Sequence, residues 1–113
     1  MLIYDKELVN KLKTIGLPVY YENIVDSTVE TPCITYMPAS NIDHLVGDTL
    51  FYSNIDYYVK VWGHEKETLM PYMEQLSDLM RSLGFRRSSY QELATDTELC
   101  LVSLWKGIGY EKL

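Results

Sequence analysis

The sequence predicts an α+β fold, with a single antiparallel sheet of about four to five strands and two helices packed on one of its faces, in the order α-β-β-β-α-β-β. Residues 49–63 alternate between apolar and polar positions, which is typical of a strand with one face buried. Residues 69–83 place apolar side chains three and four apart, which is typical of a helix that buries one side. Short connections between the other segments favour antiparallel neighbours.

The alternating stretch 49–63 is the longest in the chain and has two different faces. The predicted core face carries Phe51, Ser53, Ile55, Tyr57, Val59 and Val61, and the opposite face carries Tyr52, Asn54, Asp56, Tyr58, Lys60 and Trp62. Fifteen residues at ~3.3 Å each would span roughly 50 Å, which is longer than a usual strand. We therefore expect either a bend at a bulge or a hairpin that projects from the body.

Two helices are predicted from apolar stripes and from the residues that end them. The first covers residues 5–15, with Leu8, Leu12 and Ile15 on its apolar side, and stops at Gly16. The second begins within residues 63–67 and stops at Gly84. Its stripe is Leu69, Met73, Leu76, Met80 and Leu83. Pro71 is expected in the first turn, where a missing amide is tolerated.

The remaining strands are shorter. They are predicted at residues 18–21, 33–37, 85–90 and 99–106. Pro38 is expected to close the second of these, so that residues 39–48 form the longest connection, with an extended tip that is mobile until a partner orders it. Residues 91–98 are expected to be a polar turn, and apolar residues on both faces of 99–106 predict a strand covered on both sides.

Length and composition predict a single domain over residues 1–113 and exclude several classes of partner. A net charge of −6 argues against nucleic-acid binding, which needs a basic face. Arg81, Arg86 and Arg87 form a local basic spot with two interpretations, a phosphate site and, more simply, a solvated helix end followed by a strand. No signal peptide is expected, and no apolar run approaches the ~20 residues that span a bilayer.

The sequence offers no constellation for catalysis, a cofactor or a metal. Cys33 and Cys100 lie in apolar, strand-like runs, where a thiol is inert and, in a reducing cytoplasm, stays reduced. A disulfide between them stays open at this point. His44 and His64 lack the spacing of a zinc motif. A lone GxG at residues 107–109 has no helix after it to receive a phosphate. We expect no enzyme activity and no cofactor.

The candidate functional residues are therefore those of an interface. The set comprises Asp43, His44, Leu45, Asp48, Tyr52, Tyr58 and Trp62. Tyrosine and tryptophan are enriched in interface cores because their rings are apolar and their tips polar. Two interpretations of the Tyr52, Tyr58 and Trp62 row remain open, namely cross-strand packing and a contact between subunits.

The order of these features resembles a family of small tail-terminator or tail-completion proteins of long-tailed bacteriophages. The matching stretches are TPCITY at 31–36, a polar segment with Asp48, YSNIDYYVKVW at 52–62, LGF at 83–85 and the last strand at 99–106. The resemblance covers residues 12–106. A neighbouring family of head-tail joining proteins shares the same size and topology.

The resemblance implies a structural virion protein that forms a ring, commonly a hexamer, at the head-tail interface. Such rings cap the tail tube and offer a docking surface to the head. The implied partners are further copies of the chain, the tail tube protein and the head-tail connector protein, without specific nucleic-acid or membrane binding. The protein would be made in the bacterial host cytoplasm. No family site residue is carried over. The alternative is a small cytoplasmic α+β module that binds a ligand or peptide without catalysis.

Overall fold

The computed structural model describes residues 4–22, 31–46 and 49–109, with side chains at 6–22, 31–39 and 55–107. The elements are α1 (Tyr4–Leu12), a 3₁₀ turn (Lys13–Ile15), β1 (Val19–Tyr21), β2 (Cys33–Val46), β3 (Thr49–Gly63), α2 (Lys66–Ser82), β4 (Arg86–Ala94) and β5 (Leu99–Gly109). This is an α+β fold with two helices and five strands. The predicted order α-β-β-β-α-β-β is confirmed.

The five strands form one sheet in the order β1-β2-β3-β5-β4. Three of the four neighbouring pairs are antiparallel, as expected, but β1 runs parallel to β2. The sheet is therefore mixed rather than wholly antiparallel. In a parallel pair the chain has to return to the same end of the sheet before the second strand begins. The polar segment 22–32 is the connection between β1 and β2 in the sequence.

Strand β2 continues through Pro38 and along most of the predicted connection 39–48. The Ile34 amide donates to the Pro18 carbonyl at 2.8 Å, which is the side of β2 that faces away from β3. Alternate amide positions share a side, so Pro38 lacks its N–H on the outer side and the ladder to β3 loses nothing. Register shifts at 38/40 and 44/45 break the side-chain alternation, which is why the sequence did not indicate a strand there.

The outer ends of β2 and β3 extend beyond the rest of the sheet. Strand β5 pairs with β3 only as far as the Ser53–Gly109 pair. From there outward, in the described residues, β2 and β3 pair only with each other. We call residues 43–53 the hairpin arm; the structure describes 43–46 and 49–53 of it. The longest molecular dimension is 51 Å, against 25 and 23 Å for the others.

The core lies between the helices and one face of the sheet. Residues of the α2 stripe, Leu69, Met73, Leu76 and Met80, pack with Leu8 and Leu12 of α1 against Tyr57, Val59, Val61, Leu101 and Trp105 of the sheet. Trp105 is fully buried, and its indole Nε1 donates to Ser103 Oγ at 2.8 Å. Ser103 Oγ donates in turn to the Val59 carbonyl at 2.9 Å. The predicted core face of β3 is confirmed for Ile55, Tyr57, Val59 and Val61, and the side chains of Phe51 and Ser53 lie outside the described part.

The start of α2 differs from the prediction, because Pro71 lies in the second turn rather than the first. The chain leaves β3 at Gly63 and enters the helix after two residues, which brings Leu69 against Gly63. A Cβ at Gly63 would lie 2.6 Å from Leu69 Cδ2, so a larger residue at this position would force the buried Leu69 side chain to shift. At the other end, Gly84 has a φ of +91° and ends the helix as predicted.

Strand β4 runs to Ala94 instead of ending at residue 90. The turn that was predicted over 91–98 is confined to residues 95–98, where the Thr95 amide donates to the Glu98 carbonyl at 2.8 Å. Every residue of β4 is exposed except the half-buried Tyr90. Polar composition is typical of edge strands, so it did not distinguish this strand from a turn.

We expect Val61→Asp to unfold the domain. Val61 is fully buried under the helices, and an unpaired carboxylate there should lower the free energy of unfolding by more than about 4 kcal/mol. Urea unfolding followed by circular dichroism measures this. Leu93→Asp is the control, because Leu93 is 53% exposed on β4 and should lose less than about 1 kcal/mol. Equal losses in both variants would contradict the assigned core.

We expect Pro71→Ala to stabilise the protein. Pro71 is exposed inside α2 and offers no amide to the Glu67 carbonyl one turn earlier. Restoring that hydrogen bond should raise the free energy of unfolding by about 2 kcal/mol after the greater entropy of the unfolded variant is subtracted. Gln75→Ala, at another exposed helix position, should change it by less than about 0.5 kcal/mol. An unchanged urea midpoint for Pro71→Ala would contradict the expectation.

Candidate functional site

The face of the sheet opposite the helices, which we call the open face, carries Tyr58 and Trp62 from the predicted interface set. Both belong to the alternate positions of β3 that point away from the core, and both are half-buried. Four other members, Asp43, His44, Leu45 and Tyr52, fall in the hairpin arm, where the backbone alone is described. Asp48 lies outside the described residues. The predicted interface set thus divides between the open face and the hairpin arm.

Trp62 is held in place by contacts across the strands. Its indole Nε1 donates to Thr35 Oγ1 on β2 at 2.8 Å, and Thr35 is fully buried. The Lys60 ammonium lies 6.0 Å from the Trp62 ring centroid and forms an ion pair with Glu22, just after β1. Because Lys60 reaches over β2, this pair ties three strands together. For Trp62 the structure therefore favours cross-strand packing.

Cys33 and Cys100 flank Trp62 in the sheet register, one on β2 and one on β5. Two strand spacings separate them, which is roughly 10 Å and beyond the Cα separation that a disulfide spans. The structure therefore rules out the disulfide that the sequence left open. Both side chains are buried, at 1% and 3% exposure. Burial raises the pKa of the Cys100 thiol to about 12, and burial followed by the charge of Glu98 raises the pKa of Cys33.

His64 joins the segments at one end of the sheet. Its Nδ1 donates to the Thr97 carbonyl at 2.7 Å, so Nε2 is the acceptor for the Thr31 hydroxyl at 3.2 Å in the neutral ring. The imidazole thereby links the start of β2 to the turn before β5. Among the described residues, no three histidine, cysteine, aspartate or glutamate side chains are grouped closely enough to hold a metal ion.

A groove of about 430 Å³ lies between α2 and β4. It is lined by Met70, Met73, Glu74, Ser77, Asp78 and Arg81 of α2 and by Arg87 and Tyr90 of β4. We call it the α2/β4 groove. Its floor includes the apolar side chains of Met70 and Met73, and its walls carry both charges. No pattern in the sequence indicated it, because its walls come from two elements.

Arginine side chains occupy one end of the α2/β4 groove. The Arg87 guanidinium lies 5.5 Å from the Tyr90 ring centroid, and that of Arg81 lies 5.8 Å from the Trp105 ring centroid. Arg86 does not line the groove, since it pairs in register with Lys106 on the open-face side. The basic spot predicted from Arg81, Arg86 and Arg87 is therefore split between two faces of the sheet.

Tyr90 closes the same wall of the groove. Its hydroxyl donates to Glu92 Oε1 at 3.1 Å, and Glu92 also pairs with Lys66 at 2.8 Å. Burial and the adjacent Glu92 carboxylate raise the pKa of Tyr90 to about 12, whereas hydrogen bonds from Lys66 and Tyr90 lower the pKa of Glu92. These contacts fix β4 against the first turn of α2.

The sheet has two unlike free edges in its described part. On one side β1 covers β2 from Ile34 to Tyr36, and no other described segment pairs with the outer edge of β2. On the other side β4 pairs with β5 alone. The Pro38 ring and a register shift at Arg87/Ser89 interrupt these edges, as is usual where uncontrolled pairing is avoided.

Comparison with known proteins adds no family. No model of a protein family matches the chain, and no curated protein matches it significantly. Within the described residues, none of the helices has the length and apolar character that crossing a membrane requires. The function is therefore argued from the geometry of this chain.

We expect the stability of the protein to fall above pH 9 because of its two buried thiols. A thiol of the unfolded chain ionises near pH 9.0, whereas the folded-state pKa of Cys100 is about 12. Because the folded-state pKa is the higher one, the contribution of the protonated Cys100 thiol to the free energy of unfolding is complete below pH 9. It is lost as the pH rises toward 12. The slope from Cys100 approaches about 1.4 kcal/mol per pH unit, and the raised pKa of Cys33 adds to it in the same direction.

Urea unfolding at intervals between pH 8 and pH 10 measures this slope. The double variant Cys33→Ala/Cys100→Ala is the comparison, and it should show a flatter pH dependence whatever its absolute stability. The window stops at pH 10, the ordinary pKa of tyrosine, and ionisation of the tyrosines of the unfolded chain affects both proteins alike. The same slope in both proteins would contradict protonated, buried thiols.

Proposed function

We propose that this protein is a structural component of a bacteriophage or prophage tail that assembles as a ring at the head-tail interface. The observation that carries the proposal is the hairpin arm, a two-stranded extension of a sheet whose described edges differ from each other. In the described residues its two strands pair only with each other beyond the Ser53–Gly109 pair. Its value is in contacts with another molecule.

Ring assembly needs a contact between two different surfaces of neighbouring subunits. Identical patches facing each other give a closed dimer, whereas unlike patches that meet head to tail give a ring when the rotation closes. The outer edge of β2 with its arm lies on one side of the sheet, and β4 lies on the other. The chain therefore carries two unlike surfaces at opposite sides, which supports a ring.

The described side chains favour assembly over catalysis. Both thiols are buried and have raised pKa values, which makes them poor nucleophiles at neutral pH. Both ring nitrogens of His64 are engaged in contacts that hold loops together. We propose a non-enzymatic role without a cofactor, in which the partners are further copies of the chain, the tail tube protein and the head-tail connector protein. Its place would be the head-tail junction of the virion.

The α2/β4 groove favours one alternative, a small cytoplasmic module that binds a ligand or peptide. Its volume of about 430 Å³ and its mixed lining are within the range of small-molecule sites. The two proposals differ in their association state. A module of this kind stays monomeric at every concentration, whereas a ring protein does not.

We expect the purified protein to form rings, and deletion of residues 45–48 to abolish them without unfolding the domain. The deletion removes the end of the hairpin arm and leaves the five-stranded part of the sheet and its core untouched. Light scattering over a wide concentration range, with negative-stain images of the same samples, measures the assembly. Circular dichroism melts check the fold.

Asp96→Ala is the matched control, because Asp96 is exposed in the turn at the other end of the sheet. It should assemble as the unmodified chain does. Monomers of the unmodified chain at all concentrations would overturn the ring proposal in favour of the binding module. Normal rings from the deletion variant would show that the arm has no part in assembly.

A further inference from the structure

We propose that the α2/β4 groove of one subunit receives the hairpin arm of the next copy in the ring. This inference rests on the proposed ring assembly and names the contact that would form it. The arm and the groove are at different places in the fold, since the arm continues β2 and β3 beyond β5 while the groove lies on the helix side of β4. The contact is therefore head to tail.

A hydroxyl group in the groove is available to an incoming segment. Ser77 is only 6% exposed and lines the groove, and within the described part of the chain its hydroxyl makes no hydrogen bond. Because Ser77 lines an open groove, water can reach this hydroxyl, and an occupant that displaces the water has to replace its hydrogen bond. A backbone carbonyl or a carboxylate of an incoming segment would satisfy it.

The guanidinium groups of the groove also lack close carboxylate partners. Arg81 lies 3.9 Å from Asp78, at the limit of an ion pair, and both side chains are largely exposed. In the described residues Arg87 has no carboxylate within 4.0 Å and contacts the ring of Tyr90 instead. Two arginines that are available at one end of a cleft favour an occupant that carries carboxylates.

The composition of the hairpin arm complements this lining. The sequence from 43 to 53, DHLVGDTLFYS, contains two aspartates and no lysine or arginine. It also contains the apolar residues Leu45, Val46, Leu50 and Phe51. Met70 and Met73 supply a floor that adapts to such side chains, because methionine is unbranched and polarisable. A second copy of the chain is thus the occupant that charge and apolar character both favour.

The carboxylates of the groove are compatible with the same occupant. Glu74 and Asp78 are exposed on the α2 wall, so the groove is not a general site for anions. An incoming hairpin brings free backbone N–H groups along its edge together with its aspartates. The N–H groups can face Glu74 and Asp78 while the aspartates face Arg81 and Arg87.

Charge reversal on both sides of the contact tests the proposal. One variant carries Arg81→Glu and Arg87→Glu in the groove, and the other carries Asp43→Lys and Asp48→Lys in the arm. Each variant alone then places like charges in contact and should stay monomeric where the unmodified chain forms rings. An equimolar mixture restores opposite charges at every contact, because each arm meets a groove of the other variant. The mixture should form rings that contain both variants in equal amounts.

Sedimentation velocity at fixed concentration gives the readout, and circular dichroism melts establish that each variant is folded. Arg86→Glu/Lys106→Glu is the control for the groove, since these residues pair on the open-face side of the sheet and do not line the groove. Asp96→Lys/Glu98→Lys, in the exposed β4–β5 turn, is the control for the arm. Both controls should assemble normally.

The possible failures separate this inference from the ring proposal. Two outcomes would overturn the contact between arm and groove but not the ring proposal. In the first, either reversed variant forms rings alone. In the second, the mixture of folded variants stays monomeric while the unmodified chain forms rings. An unmodified chain that stays monomeric would overturn both.

Discussion

The structure depends on the packing of one helix stripe against one face of two neighbouring strands. Leu69, Met73, Leu76 and Met80 of α2 cover the helix-facing side of β3 and β5, and α1 completes the same layer. Trp105 can lie at the centre because its indole N–H donates a hydrogen bond to the Ser103 hydroxyl. That hydroxyl in turn donates a hydrogen bond to the Val59 carbonyl. A single satisfied polar pair therefore allows the largest side chain of the chain to be fully buried.

The location of both helices on one face determines the character of the other. The open face has to hold itself together through side chains, and it does so with the hydrogen bond from Trp62 to Thr35 and the ion pair between Lys60 and Glu22. Trp62 also lies between the two buried cysteines in the register. The row that resembled an interface in the sequence is thus in part a set of contacts that stabilise the open face itself, where Cys33, Thr35 and Cys100 are buried.

The features that point outward lie instead at the margins of the sheet. The arm extends two strands beyond the others, and β4 leaves a groove beside α2 with a buried hydroxyl and two loosely paired arginines. The proposed contact pairs the hairpin arm with the α2/β4 groove, two different surfaces that complement each other in charge and apolar character. Contacts between different surfaces are the kind that the proposed ring requires.

The sequence by itself determined the order of the elements, the helix-facing side of β3, the stripe of α2 and the helix stops at Gly16 and Gly84, because side-chain periodicity and backbone preference are local properties. Only the tertiary structure decided that β1 is parallel to β2, that β2 continues through Pro38, that Cys33 and Cys100 are two strands apart, and that Arg81 and Arg87 share a groove which excludes Arg86. Each of these depends on which distant segment lies alongside, and no local pattern encodes that. Pro38 illustrates the reason: its missing amide ends a strand or leaves it intact according to the side on which the partner lies.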